Sequence, residues 1–115
     1  MKLKIKDCIK IVDNIDVFAK FELSKFKEIF KKIKVVKDIA EPYIIKRSSM
    51  QNNLNIEFTE AQTDNDKEQV NLKYYKEVES YKKDIEKLTD IEFKIKEKDL
   101  PDVSSKDYLF LQDFF

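Results

Sequence analysis

The stretch from Ser24 to Ser49 constrains the fold more than any other part of the chain. Its apolar residues Phe26, Ile29, Phe30, Ile33, Val36, Ala40, Tyr43 and Ile44 recur every three or four positions, which is the period of one helix face. Ser24 is placed to cap that helix with its hydroxyl. Lysines 25, 27, 31, 32 and 34 surround the stripe, and Lys37 falls inside it, where its aliphatic stem can lie along a core. Val35 and Ile39 sit four apart on nearly the opposite side. They require cover from a second element or from a partner. Pro42 lacks an amide proton and its ring crowds the carbonyl one turn back, which predicts a kink or a new helix near Asp38 to Pro42.

A chain of 115 residues has room for one modest core, so residues 1–115 read as a single domain. Charged residues make up 40% with a formal net charge of zero, which removes bulk attraction to nucleic acid or to an anionic membrane. The charge is unevenly placed. Residues 1–48 hold 13 Lys+Arg against 7 Asp+Glu, and residues 49–115 hold 10 against 16. The halves should attract each other, either by packing the acidic half on the lysine-rich helix or by head-to-tail association, the internal use being favoured.

Composition also excludes chemistries. The lone Cys8 can form neither an internal disulfide nor a structural zinc site, and reads as a small buried residue. Histidine is absent, removing the side chain most used for proton transfer near neutral pH. Glycine is absent too, so no phosphate-cradling glycine loop exists and helix ends must close with Asn or Ser, or fray. No apolar run approaches the length of about 20 residues that a membrane span needs, and no signal peptide is recognisable, so a soluble cytoplasmic protein is expected.

Taken in order, Met1 to Ile5 alternates lysine with Leu3 and Ile5, as an edge strand or extended arm does. Asp7 can cap a helix ending near Lys20, with Ile9, Val12, Ile15, Phe18 and Ala19 on one side. The brief Phe21 to Leu23 link favours antiparallel packing of that helix on the next. After Ser49, Asn52 and Asn53 predict a turn, Leu54, Ile56 and Phe58 a strand, and Thr63 to Glu68 a polar loop. Val70, Tyr74, Val78, Tyr81, Ile85 and Leu88 form a narrow seam of the kind used when one helix lies along another. Ile91, Phe93 and Ile95 predict a second strand to pair with Leu54 to Phe58. Ser104 and Asp107 fit a capping box ahead of a short helix carrying Tyr108, Leu109, Leu111, Phe114 and Phe115. A chain stopping on Phe114 and Phe115 should bury them under its own sheet or against a second subunit. The expected fold is α+β, dominated by long amphipathic helices packed antiparallel, with a small antiparallel sheet.

The opening KLKIKD, the lysine-rich central helix, the YKEVESYKKDIEKLTDIEFKI unit and the closing SSKDYLFL resemble a family of small uncharacterised accessory proteins of tailed phages of low-GC Gram-positive bacteria. The resemblance covers most of the chain at the level of pattern, and the glycine-containing turn usual between the two long helices is missing here. It implies a small accessory protein made in the cytoplasm of an infected bacterium, of a kind that often acts by binding.

Three chemical constellations bear weighing. Glu92-Phe-Lys94, with Asp84 and Asp90 upstream, is similar to the E-x-K core of metal-dependent nucleases, but a hydrated sheet face explains it and is favoured in so charged a chain. Lys46, Arg47, Ser48 and Ser49 gather two cations and two hydroxyls where the helix is expected to end, as a weak anion contact; cations complementing the helix dipole are the favoured explanation. The lysine face supplies phosphate contacts but interleaves no aromatic residues for stacking on bases, so nucleic acid is not the expected partner. Two functions remain. The first is a non-catalytic interaction protein that binds and inhibits or scaffolds a host or phage protein, as a homo-oligomer through Val35, Ile39, Phe114 and Phe115. The second is a protein sequestering a small anionic nucleotide between lysines and tyrosines at a subunit interface. Neither calls for a cofactor or a metal.

Overall fold

The computed structural model describes residues 2–115. Four α-helices dominate, joined by one small antiparallel sheet, so the chain is α+β with helix in the majority. Strand β1 covers Lys2–Lys4 and runs directly into α1, Ile5–Asp13. The turn into α1 is fixed from inside the helix, where the Asp7 carboxylate accepts the amide of Lys4 at 2.8 Å. Asn14 closes α1 by donating its side-chain amide to the Lys10 carbonyl at 2.8 Å. The helix expected to run to Lys20 therefore stops at Asp13. A 3₁₀ segment, Ile15–Lys20, continues from it and buries Phe18.

Helix α2 runs unbroken from Lys27 to Glu60, 34 residues with Pro42 inside. Three expectations fail here for physical reasons. Ser24 does not cap the helix: the position before Lys27 is Phe26, and no side chain caps it. Of the kink or new helix expected at Pro42 the new helix does not form, because Pro42 lies exposed on the solvent side of a continuous α2, where water can satisfy the carbonyl its missing amide leaves free. Leu54 to Phe58 is not a strand but the far end of α2. Leu54 and Phe58 are four apart and suit a helix as well as a strand. Gln51 bonds Asn55 across one turn at 3.2 Å and Thr59 donates to the Asn55 carbonyl at 2.7 Å, while Asn52 and Asn53, expected to form a turn, lie exposed within the helix.

The predicted loop at Thr63 to Glu68 is likewise the start of α3, Asp64–Ile85. Thr63 caps it, its hydroxyl accepting from the Asp66 amide at 3.0 Å. Only Ala61 to Thr63 separate α2 from α3, so the two form an antiparallel hairpin. The seam predicted on α3 does face α2, with Tyr81 buried and Val70, Tyr74, Val78 and Ile85 half-buried. Its last member, Leu88, lies beyond α3 and is exposed.

Strand β2, Leu88–Glu92, pairs antiparallel with β1, matching Lys2 with Glu92 and Lys4 with Leu88 across an irregular register. With Leu54 to Phe58 helical, β1 is the partner that β2 finds. Thr89 ties the ladder by donating its hydroxyl to the Leu3 carbonyl at 2.8 Å. Beyond β2, Phe93 and Ile95 are fully buried, and the Ile95 amide reaches the Phe114 carbonyl at 2.7 Å. Helix α4, Ser105–Leu111, opens on Ser104, whose hydroxyl accepts from the Asp107 amide.

The core gathers Leu3, Cys8, Ile11, Phe18, Ile33, Val36, Phe93, Ile95, Leu111 and Phe114. Phe93 and Phe110 each meet Phe114 edge to face at 5.4 Å between ring centres, and Phe18 meets both of them at 6.4 and 6.2 Å. Such pairs add about 0.5–1.5 kcal/mol each beyond simple burial. Phe114, next to the C-terminal residue, is thus a core residue of its own chain. Overall the molecule measures 59 × 29 × 19 Å. That elongation has one source: no residue from 51 to 73 belongs to the core or to the layer packed on it. The outer ends of α2 and α3 project from the head as an arm, roughly 15 Å long at 1.5 Å per residue.

Candidate interaction surfaces

The arm is built from residues that an exposed helix does not ordinarily favour. In a chain that is 40% charged, Ser48 to Ile56 contains no charge at all, and of these nine residues only Met50 is buried and Leu54 half-buried. Serine and asparagine are mediocre helix formers, because their side chains compete for backbone hydrogen bonds. Charged residues with better propensity would suit a purely solvated face. Apolar groups stand out beside them: Ile56 is 56% exposed, Leu72 50% and Tyr75 62%.

Two hollows lie along one side of the α2–α3 crevice. One, of about 440 Å³, is lined by Arg47, Ser48, Met50, Gln51, Asn52, Tyr74 and Val78. The other, of about 400 Å³, is lined by Leu54, Asn55, Phe58, Thr59 and Asn71. Positions 47, 51, 54 and 58 share one helix face, as do 71, 74 and 78, so the two hollows lie in line along one groove between the helices. Lys67 holds the Phe58 ring from one side, its ammonium 5.7 Å from the ring centre. Tyr74 donates its hydroxyl to Gln51 at 3.2 Å and Lys73 pairs with Glu57 at 2.8 Å, fixing the two helices without closing the groove.

A third hollow, the largest at about 650 Å³, lies where α2 begins. Lys25, Lys27, Lys32, Lys94 and Lys96 line it together with Glu28, Glu92 and Asp99. Glu92 and Lys94, the E-x-K pair, therefore sit together on its wall. The acids upstream are elsewhere engaged, Asp84 by Lys87 at 3.6 Å and Asp90 by Lys2 at 4.0 Å. Among the described residues no group of three acidic, histidine or cysteine side chains is disposed to hold a metal ion. No matching protein family, curated protein or solved structure is found for this chain.

The residues singled out from sequence are placed as follows. Val35 is 49% exposed, while Ile39, four residues on, is half-buried against the core. Phe114 is buried in the chain's own core, and Phe115 is half-buried, its ring 5.6 Å from Tyr108. Lys46, Arg47 and Ser48 do not stand at a helix end, because α2 continues for more than three further turns. Arg47 is clasped by Asp13 through two bonds of 3.1 Å, and this carboxylate with the Tyr81 hydroxyl beside it holds the guanidinium pKa above its ordinary value. The cross-half attraction is met mainly through β1 and α1, not through the central helix. Lys4 and Lys6 both hold Glu86, at 2.9 and 2.7 Å, and Lys10 holds Asp113 at 2.7 Å. The sequence hides the arm because Leu54, Ile56 and Phe58 alternate as a strand does and Val70 and Tyr74 fit a seam, while Leu72 and Tyr75 fit neither. The uncharged run Ser48 to Ile56 is the signal that could have found it.

Proposed function

We propose that this is a non-catalytic interaction protein that binds, and thereby inhibits or scaffolds, another protein, acting in the cytoplasm and as a homo-oligomer. One observation carries the reading: a two-helix arm outside the core, with an open groove, exposed Leu72 and Tyr75, and an uncharged run from Ser48 to Ile56 in a chain dense in charge. Large exposed apolar groups with depleted charge are what a protein-binding surface shows. A groove between two antiparallel helices suits the apolar face of a third helix, so the partner segment is an amphipathic helix. The phage context implied by the sequence resemblance fits a small binding protein of this kind. The test is capture from a bacterial host lysate by the intact protein and by a Phe58→Lys/Tyr75→Lys variant. A partner retained by the first and lost by the second is expected; equal retention overturns the assignment of the groove.

A second reading rests on the lysine-lined hollow. Five lysines converge on it, and the first turn of α2 opens beside it without a side-chain cap, an arrangement suited to a small polyanion such as a nucleotide. Titration with nucleoside triphosphate followed by calorimetry checks it. Binding abolished by Lys27→Glu/Lys32→Glu would favour this reading over the first.

A further inference from the structure

The outward side of α2 carries a pattern that the core does not account for and that meets the groove hollows only at Asn52 and Thr59. Val35, Pro42, Ser49 and Ile56 recur every seven residues, and Ile45 and Asn52 stand three after the second and third of them. Asp38 and Thr59 complete the spacing of alternating three and four. Every one of these positions is exposed, and Asp38 alone is charged. Val35, Ile45 and Ile56 are 49%, 58% and 56% exposed. A seam repeating every 3.5 residues is what one helix presents to another of the same length. Over 24 residues it is roughly 36 Å long.

Charge along the same helix says what lies on it. From Lys27 to Arg47, α2 holds seven Lys+Arg against three Asp+Glu. Among the described residues Lys27, Lys32, Lys34, Lys37 and Lys46 have no ion-pair partner. From Glu57 to Glu68 the hairpin tip holds five acids against Lys67 alone. Glu57 and Glu60 occupy the last turn of α2, which has no basic residue, and the helix dipole disfavours acids at that end. Glu57 pairs with Lys73 across the hairpin, but Glu60 has no ion-pair partner among the described residues, so its placement is not explained by the stability of the isolated chain. Each end of α2 carries the charge that the other end lacks.

We infer that the occupant of this seam is a second copy of the chain, its α2 antiparallel to the first about a two-fold axis. That orientation sets each acidic tip over the other copy's lysine-rich half. It closes the assembly at two, where parallel pairing would stack like charge on like. A seam one helix wide buries an area at the small end of specific interfaces, so the dimer is a reversible one. The inference deepens the homo-oligomer of the proposed function, and its seam borders the groove at Asn52 and Thr59.

Sedimentation velocity of the intact protein from micromolar to millimolar concentration, with an Ile45→Lys/Ile56→Lys variant beside it, is the test. A monomer–dimer equilibrium is expected, its dissociation constant raised at least about tenfold in the variant and raised in the wild type by salt. Both substitutions are at exposed sites, so the variant's far-ultraviolet circular dichroism should match the wild type. A spin label on Lys34→Cys in the otherwise native chain reads the orientation. Antiparallel helices place the two labels roughly 30 Å or more apart, and parallel ones about 10–15 Å. A monomer at all concentrations, a dimer indifferent to the two lysines, or the short label distance would each overturn the inference. Partner capture through Phe58 and Tyr75 surviving such a result would show that the dimer alone was misassigned.

Discussion

Arg47 shows how one side chain changes meaning once its neighbours are known. In sequence it belongs to a cationic cluster, but in the fold both its amino groups grip Asp13 of α1 and join that helix to α2. The pair is nearly half exposed, so Arg47→Ala should cost only about 0.5–1 kcal/mol. Arg47→Lys should not restore it, because an ammonium cannot make the two-pronged contact; chemical denaturation of the three proteins checks this. Cys8 is as buried as its surroundings in the sequence imply, and burial together with the Asp7 charge pushes its thiol up to about 11. A thiol reagent at pH 8 should leave it untouched in the native protein and label it in urea. Glu86 is held below its ordinary value by its hydrogen bonds from Lys6 and Lys4. A carboxylate depressed in the folded state adds stability that is present above the unfolded pKa and is lost as pH falls through the folded one. Stability should therefore fall on acidification below the ordinary glutamate range, and Glu86→Gln should flatten that part of the profile in thermal scans.

At the scale of elements, the chain's periodicities are more informative than its punctuation. The stripe from Phe26 to Ala40 is the face α2 buries, with Ile29, Ile33, Val36 and Ala40 all in the core. Likewise the Ser104 cap and the buried Phe114 are where the pattern puts them. What the sequence concealed lies between Ser49 and Glu68. There the paired asparagines and the polar Thr63 stretch read as breaks, as Pro42 does earlier in α2, yet solvent exposure and the Thr63 cap let one hairpin absorb them. A helix that leaves the core carries no core stripe over its last turns, so the arm is signalled in the sequence only by the uncharged run Ser48 to Ile56. Two consequences can be measured. Phe114→Ala, which empties the middle of the aromatic cluster, should cost about 3–5 kcal/mol. Replacing residues 51–73 with a tight turn should cost far less, about 1–2 kcal/mol, since only contacts within the arm are lost; denaturant titration separates the two outcomes.

The whole molecule is a compact head with a two-helix arm, and its functional reading depends on that division. Among the described residues no helix is long and apolar enough to cross a membrane. The head accounts for nearly all the burial, and the arm for the exposed apolar residues Ile56, Phe58, Leu72 and Tyr75. If the arm is the binding element, its backbone should be the part that a partner protects. Hydrogen exchange of the protein at fixed concentration, alone and with a captured partner, tests this directly. The account predicts new protection across residues 51–75, with no change at 24–32 and 92–99 around the lysine-lined hollow. Protection at that hollow with the arm unchanged would contradict it.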